Sequence, residues 1–370
     1  MSGEDLIWMR RALAEAEFGR GYVEPNPMVG AVVTRDGQLI SAGYHGRFGG
    51  PHAEVEALRR AGGQARGATL YVTLEPCCHT GKTPPCADAV IASGITRVVV
   101  AMRDPFPKVA GGGLSRLRES GIEVEVGLES EAAQRLNAPY LKLLSTGRPY
   151  ITAKWAMTLD GKTATASGDS RWISNARSRS MVHELRGRMD AIVVGIGTAI
   201  ADDPRLTARP QGPRVATRVI LDSEARLSPD SQLARTASEI QVIVAVTERA
   251  PEERKRILAD LGCEILAFAG NGSVPVEELL DELGRRRMTN VMIEGGGRVL
   301  GAFLDRNEVD AVDIYIAPIV EGGAPAFTPA SGAGHALMSQ TRRLERHTTS
   351  LIGADIRIQG IFTPAWRKGE

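Results

Sequence analysis

Cysteine is scarce: four residues in a chain of 370, too few for a disulfide framework. Long apolar runs are missing too. None reaches the ~18 residues a membrane span needs, so no membrane partner is expected. Neither sign of charge dominates. Forty-five Lys and Arg against 44 Asp and Glu leave a net charge of +1, which argues against a protein that coats nucleic acid. No internal repeat or low-complexity tract occurs. The N-terminal stretch MSGEDLIWMRRALAEAE carries acids before any apolar block and has no cleavage pattern, so it does not read as a signal peptide, and a cytoplasmic protein is expected. What remains is ordinary globular usage, 43% hydrophobic and 24% charged, which excludes disordered, collagen-like and coiled-coil chains. The length suits two domains.

The first half alternates helical and strand patterns. A helix is expected over 4–18, with Leu6, Met9, Leu13 and Ala16 on one face. Residues 28–34 and 38–42 read as a hairpin around Asp36-Gly37. A helix opens near His52, a strand follows in ATLYVTLEP, and a second helix follows Pro84-Pro85. TRVVVAM is another strand, and 113–120, 122–126 and 129–144 continue as helix, strand and helix. Gly147-Arg148-Pro149 breaks the pattern and marks the expected boundary between domains 1–147 and 148–370. Beyond it, strands are expected at 150–157, 190–195, 217–222, 240–246, 291–294 and 311–317. Helices are expected near 174–187, 251–261, 275–287 and 297–305. Both halves read as α/β layers.

Three of the four cysteines, Cys77, Cys78 and Cys86, fall within ten residues, whereas Cys263 stands alone between apolar neighbours and reads as a core residue. In a reducing compartment, clustered thiols suggest metal binding or catalysis. His52 opens one helix, Cys77 closes a strand and Cys86 starts the next helix. One imidazole and two thiolates leave one position of a tetrahedral zinc site open, as catalytic zinc requires. Glu54, two residues from His52, can face a water at that position without ligating the metal and can shuttle protons. H-x-E followed by P-C…C is the signature of zinc nucleobase and nucleotide deaminases. A structural four-ligand site using Cys78 or His79 is the alternative. Eight residues separate Cys77 from Cys86, and this insert, Cys78 to Pro85, is polar and basic. It reads either as a solvated turn or as a phosphate clamp through Lys82.

A second constellation lies in VMIEGGGRVLGAFL, residues 291–304, where a strand runs into three glycines and then a helix. Glycines allow close backbone approach and a helix N-terminus favours phosphate, so a dinucleotide would fit, although a tight turn explains the glycines equally well. The strand at 190–195 also ends in glycines, Gly195 and Gly197, with Thr198 next. Two such loops at strand ends can flank one ligand. Lys154 lies mid-strand on the face opposite Trp155, where solvent exposure is the ordinary expectation. Asp202 and Glu294 add carboxylates, and Arg186 and Arg209 can bind phosphate.

E-P-C-C-H-T-G-K-T-P-P-C-A-D resembles the deaminase half of the bifunctional riboflavin-biosynthesis family, a pyrimidine deaminase fused to a reductase. Pro25-Asn26-Pro27-Met28-Val29-Gly30, Gly43-Tyr44-His45 and Asp104-Pro105 are similar too. In the second half so are L-D-G-K-T-A, S-G-D-S-R-W-I-S, A-D-D-P-R-L-T and I-E-G-G-G. Two departures stand out: Cys78 where Ser is common, and Phe106 where D-P-N-P has Asn. The resemblance implies a cytidine-deaminase-like zinc domain followed by a dihydrofolate-reductase-like domain, with one zinc ion per chain and NADPH. It implies cofactor contacts at Ala156, Trp172, Thr198, Asp202, Ser223 and a 296–302 loop of Gly296, Gly297, Arg298, Val299, Leu300, Gly301 and Ala302. Substrate contacts would fall on Asn26, His45, Lys82, Asp104, Lys154, Ser170, Arg186, Leu206, Arg209 and Glu294.

The implied chemistry is hydrolytic deamination of 2,5-diamino-6-(5-phosphoribosylamino)pyrimidin-4(3H)-one, then reduction of its ribosyl group by NADPH. The partner is thus a small pyrimidine ribose-phosphate, and a homo-oligomer is expected. A deaminase of dCMP or tRNA adenosine with an unrelated second domain is the nearest alternative, and near-zero charge speaks against tRNA. A non-catalytic zinc-organised binding module is another, but it would have no use for Glu54.

Overall fold

The computed structural model describes residues 2–78, 85–107 and 109–364. The chain separates into two compact units, Met1–Leu144 and Ser145–Glu370.

In the N-terminal unit α1 (Gly3–Ala16) is followed by the hairpin β1 (Gly30–Arg35) and β2 (Gln38–Tyr44). Next come α2 (Ala53–Ala61), β3 (Thr69–Val72), α3 (Cys86–Ser93) and β4 (Arg97–Val100). The unit closes with α4 (Gly112–Glu119), β5 (Glu123–Val126), α5 (Ser130–Leu136) and α6 (Ala138–Thr146). The sheet order is β2-β1-β3-β4-β5, antiparallel across β2, β1 and β3 and parallel across β3, β4 and β5. Asp36 and Gly37 both take positive φ, 51° and 73°, as a two-residue hairpin turn demands. Alternate strand residues Ala31, Val33, Leu70, Val72, Val98 and Val100 pack on Ala57, Leu58, Val90 and Leu117 from the helices.

The single helix expected over 129–144 is two helices. Pro139 has no N–H to donate back to the turn before it. Asn137 at the break turns its side chain onto Met28, accepting from its N–H at 2.7 Å and donating to its carbonyl at 3.0 Å.

The C-terminal unit begins with β6 (Tyr150–Thr158), α7 (Ala176–Arg186), β7 (Ala191–Gly195), α8 (Ile196–Asp202) and β8 (Thr217–Leu221). It continues with α9 (Gln232–Arg235), β9 (Val242–Val246), α10 (Glu252–Asp260), β10 (Glu264–Ala267) and α11 (Val276–Arg285). Then come β11 (Asn290–Ile293), α12 (Gly297–Asp305), β12 (Ala311–Ala317), β13 (Leu344–Ile352) and β14 (Asp355–Phe362). Nine strands form one sheet in the order β10-β9-β8-β7-β11-β6-β12-β14-β13. The first seven positions are parallel, and β14 and β13 close the edge antiparallel. In β7, Ala191 and Val193 join a core with Leu279, Leu283, Leu300 and Phe303, while Ile192 and Val194 join another with Leu233 and Leu258. Strands covered on both faces carry near-continuous apolar runs, as these do. The sequence pattern did not announce α8, α9, β10, β13 or β14. Cys263 is buried in the second core, where desolvation pushes its thiol up to about 11.

Candidate functional site

His52 is the N-cap of α2, which places Glu54 in that helix's first turn, and Cys86 is the first residue of α3. The strand expected to run into Cys77 stops at Val72, and the segment after it carries Cys77 to the other two. His52 Nδ1 lies 3.1 Å from Cys86 Sγ and 3.6 Å from Cys77 Sγ, and the three ligand atoms all fall within 4.8 Å of one another. One imidazole nitrogen and two sulfurs suit zinc and leave room for a further ligand. The thiols share protons unequally. Cys77 accepts hydrogen bonds from the Cys86 thiol, His52 and the Cys86 backbone N–H (3.3 Å), and is held down at about 4. Cys86 is pushed up by donating to Cys77 and by burial. Glu54 is 3% exposed, and burial lifts its carboxyl to about 7 against the opposing charge of His52.

Two sequence-derived substrate residues stand beside this centre. Asn26 Nδ2 approaches His45 Nε2 at 3.3 Å, His45 Nδ1 meets the Pro51 carbonyl at 2.9 Å, and the His45 ring stands edge-on to His52 at 5.3 Å. An N–H on Nδ1 leaves Nε2 to accept from Asn26, so His45 is neutral in this network, and burial favours that form. Asp104 is buried, and its Oδ1 accepts from the Tyr140 hydroxyl and the Phe106 N–H, each at 2.9 Å. Burial holds its carboxyl above the ordinary carboxylate value. Lys82 and His79 lie outside the described residues. Cys78 turns elsewhere: its Sγ lies 3.9 Å from the Val109 carbonyl.

The second site forms at the carboxyl ends of β7 and β11, beside β6, the usual place for ligands in α/β sheets. Lys154 on β6 is half-buried rather than solvated, its side chain 15% exposed. Its Nζ is 3.7 Å from Glu294 Oε1, just past β11. Arg186, in the last turn of α7, grips the same carboxylate through Nε to Oε2 at 2.7 Å and Nη2 to Oε1 at 2.5 Å. Desolvation lowers the Lys154 pKa, while Glu294, though itself buried, is held low by its two cations. His183 Nδ1 is 3.2 Å from the Thr207 carbonyl, and its Nε2 is 3.4 Å from Arg209 Nη2, so Arg209 joins the group. His183 and Thr207 gave no signal in the sequence beyond being polar.

The glycine turn lies alongside. Gly295 and Gly296 take φ of 107° and 84°. A methyl on Gly296 would come within 3.3 Å of Thr198 Oγ1, so the bare backbone is what leaves a cradle there. Gly296 caps α12 without a side chain, leaving the helix's first N–H groups to a phosphate. Arg171 ties the segment bearing Ser170 and Trp172 to Asp202, donating to its carbonyl at 2.9 Å. Burial raises the Asp202 carboxyl. Trp172 is 68% exposed beneath the Arg179 guanidinium. Ala156 continues β6, and the Ser223 carbonyl accepts from Thr247 beyond β8.

The 296–302 stretch is not a loop: Gly297 to Ala302 are the opening turns of α12. Arg298 is exposed, whereas Val299 and Leu300 face the core. A methyl on Gly301 would lie 1.1 Å from the Ser331 carbonyl oxygen, so that glycine serves helix packing. The Leu206 side chain is likewise a core residue.

Fold and sites together define a zinc-dependent deaminase joined to an α/β reductase. Residues 3–102 match the cytidine and deoxycytidylate deaminase zinc-binding region, and residues 149–356 match the RibD C-terminal domain. The chain is similar to the riboflavin biosynthesis protein RibD of Actinobacillus pleuropneumoniae, 40% identical over 353 residues, covering 95% of this chain and 94% of that one. It is 41% identical over 332 residues to RibD of Escherichia coli strain K12, covering 86% and 89%. The solved structure of Acinetobacter baumannii RibD superposes with a TM-score of 0.84 at 39% identity, over 98% of this chain and 99% of that one.

The chain belongs to the RibD family. It is a bifunctional enzyme of riboflavin biosynthesis with deaminase and reductase activities, using zinc and NADPH. Its first domain is of the cytidine-deaminase type and its second of the dihydrofolate-reductase type. Among the described residues no helix is long and apolar enough to cross a membrane.

Proposed function

We propose that the N-terminal site removes the 2-amino group of 2,5-diamino-6-(5-phosphoribosylamino)pyrimidin-4(3H)-one, and that the C-terminal site reduces the product to 5-amino-6-(5-phosphoribitylamino)uracil. The observation that carries this reading is the buried Glu54 beside the His52, Cys77 and Cys86 cluster, in a chain alike throughout to deaminase–reductases. A Thermotoga maritima protein, 36% identical with a TM-score of 0.83, is described as a diaminohydroxyphosphoribosylaminopyrimidine deaminase and 5-amino-6-(5-phosphoribosylamino)uracil reductase.

His52, Cys77 and Cys86 would hold the metal. Zinc there supplies Lewis acidity, bringing the pKa of water toward ~7. Glu54, buried beside these ligands, takes the proton of the attacking water and returns it to the ring nitrogen and then to the departing amine. Asn26 and His45 orient the pyrimidine. Asp104 and Lys82 contact the ribose phosphate end.

In the second site NADPH supplies the reducing equivalents for C1′ of the opened sugar. The Gly295–Gly297 turn, Thr198, Asp202, Trp172, Ala156 and Ser223 line the cofactor. Arg186 and Arg209 pair with the substrate phosphate. Lys154, Glu294, Ser170 and the Leu206 backbone fix the sugar.

We assign 1–147 to the deaminase and 148–370 to the reductase, and read the enzyme as a cytoplasmic homo-oligomer acting on small molecules alone. The test is a coupled assay of ammonia release followed by NADPH oxidation, with dCMP and tRNA as parallel substrates. Ammonia from the diamino compound, and NADPH oxidation only after it, is the expected result. Ammonia from dCMP or tRNA instead would overturn the reading.

A further inference from the structure

We infer that Glu75, between β3 and Cys77, is a positioning residue for deamination: its buried carboxylate fixes the backbone N–H groups of Asp104, Gly111, Gly113 and Leu114 and so places Asp104. The proposal rests on the reading of Asp104 as a substrate contact.

Glu75 is 3% exposed. Its Oε2 accepts from the Asp104 N–H at 3.3 Å and the Gly111 N–H at 3.2 Å, so one oxygen ties Asp104 to Gly111. Its Oε1 accepts from Gly113 at 3.1 Å and Leu114 at 3.3 Å, in the first turn of α4. An ionised carboxylate is acceptor-only with about four lone-pair sites, and four backbone donors meet them here. The N-cap of α4 is Gly111, which offers no side chain, so Glu75 caps that helix from a distant part of the chain, where a negative charge is favoured.

Gly112 and Gly113 are the complementary half of this fit. A methyl on Gly113 would lie 1.9 Å from the Pro76 carbonyl oxygen, and one on Gly112 would lie 2.7 Å from Cys78 Sγ. Bare backbone lets α4 abut the Pro76-Cys77-Cys78 segment. Asp104 is thus held twice: Tyr140 fixes its side chain through Oδ1 at 2.9 Å and Glu75 fixes its N–H. Glutamine at 75 would present an NH₂ to two backbone N–H groups and release one side of the clamp.

The experiment measures KM and kcat for ammonia release from the diamino substrate, zinc content and reductase activity. It uses full-length Glu75→Gln, Asp104→Asn and the double variant. Glu75→Gln is expected to raise KM roughly tenfold or more, as small misplacements do, with kcat within about threefold, zinc retained and the reductase unchanged. The double variant is expected to be no worse than the poorer single one, since residues acting through one another are not additive. Where the amide variant does not fold, Glu75→Asp gives the same readout, because it keeps both oxygens but withdraws them by one methylene. Wild-type KM in Glu75→Gln alongside raised KM in Asp104→Asn overturns the proposal, and so do additive effects or loss of zinc. Wild-type KM in Asp104→Asn overturns the substrate reading beneath it.

Discussion

Arg186 grips Glu294 with two parallel hydrogen bonds, at 2.7 and 2.5 Å, although the pair is separated by 108 positions in the chain. Lys154 completes the group, and the side chains are only 10–15% exposed. Removing the carboxylate leaves two largely shielded cations without their shared partner. Glu294→Gln is expected to cost the reductase unit about 3–5 kcal/mol, measured by denaturant unfolding. It is also expected to lower the Lys154 pKa further, because the main charge opposing desolvation is lost and only the Asp313 carboxylate remains. An unchanged midpoint would show that the trio is not energetically coupled.

The proposed zinc ligand set includes Cys77 and Cys86 and leaves out Cys78. Cys86→Ser is expected to lose most of the metal and Cys78→Ser to keep about one zinc per chain, by elemental analysis. Metal loss from the Cys78 variant would redraw the site.

Glu54→Gln is expected to retain zinc and to lose ammonia release by at least ~10²-fold, the low end for general acid–base catalysis. Reduction of supplied deaminated intermediate is expected to continue. A parallel fall in both activities would contradict separate sites.

Acid stability is set partly by Asp5. Arg97 donates to both its oxygens at 2.7 and 3.1 Å, and Tyr71 adds its hydroxyl at 2.8 Å. The Arg97 bonds hold the Asp5 carboxyl well below the usual carboxylate range. The folded pKa is therefore the lower one, and the unfolded chain binds this proton more readily. The stabilisation is complete above the unfolded value of about 3.9 and fades as pH falls below it. Asp5→Asn is expected to cost about 1.5–3 kcal/mol at pH 7 and to flatten the acid limb of a stability–pH profile. Parallel profiles for variant and wild type would refute this.

Residues 148–370 expressed alone are expected to fold, bind NADPH and reduce the deaminated intermediate without releasing ammonia from the diamino compound. A folded fragment that does not bind NADPH would refute the cofactor placement.

How far the sequence could be read depended on the distance over which a signal acts. His52, Glu54 and Cys86 declare themselves because each lies at the start of a helix, and helix starts leave local marks; Cys77 is marked by its place in the Pro-Cys-Cys stretch, although β3 stops at Val72 rather than running up to it. The core strands β7, β8 and β9 are legible because burial on both faces leaves unbroken apolar runs. Lys154 misled, since its partners Arg186 and Glu294 lie far along the chain and burial of a lysine has no local pattern. Strand β13 escaped because its residues are mostly exposed and carry no alternation. Glu75 escaped because all four of its partners are backbone N–H groups, which no side-chain motif encodes. The only trace was three successive glycines at 111–113 without an evident turn to explain them.

The close seating of Gly301 on Ser331 has a mechanical consequence. Ser331 also donates its N–H to the Gly297 carbonyl at 2.9 Å, and Asp305, at the far end of the same helix, accepts from the Ala333 N–H at 2.9 Å and the Gly334 N–H at 3.1 Å. The helix and the 328–334 segment are therefore riveted at three points. The glycine turn that opens the helix cannot swing outward on its own. Any breathing motion that widens the cradle has to carry the segment with it, so in hydrogen exchange both should open as one cooperative unit.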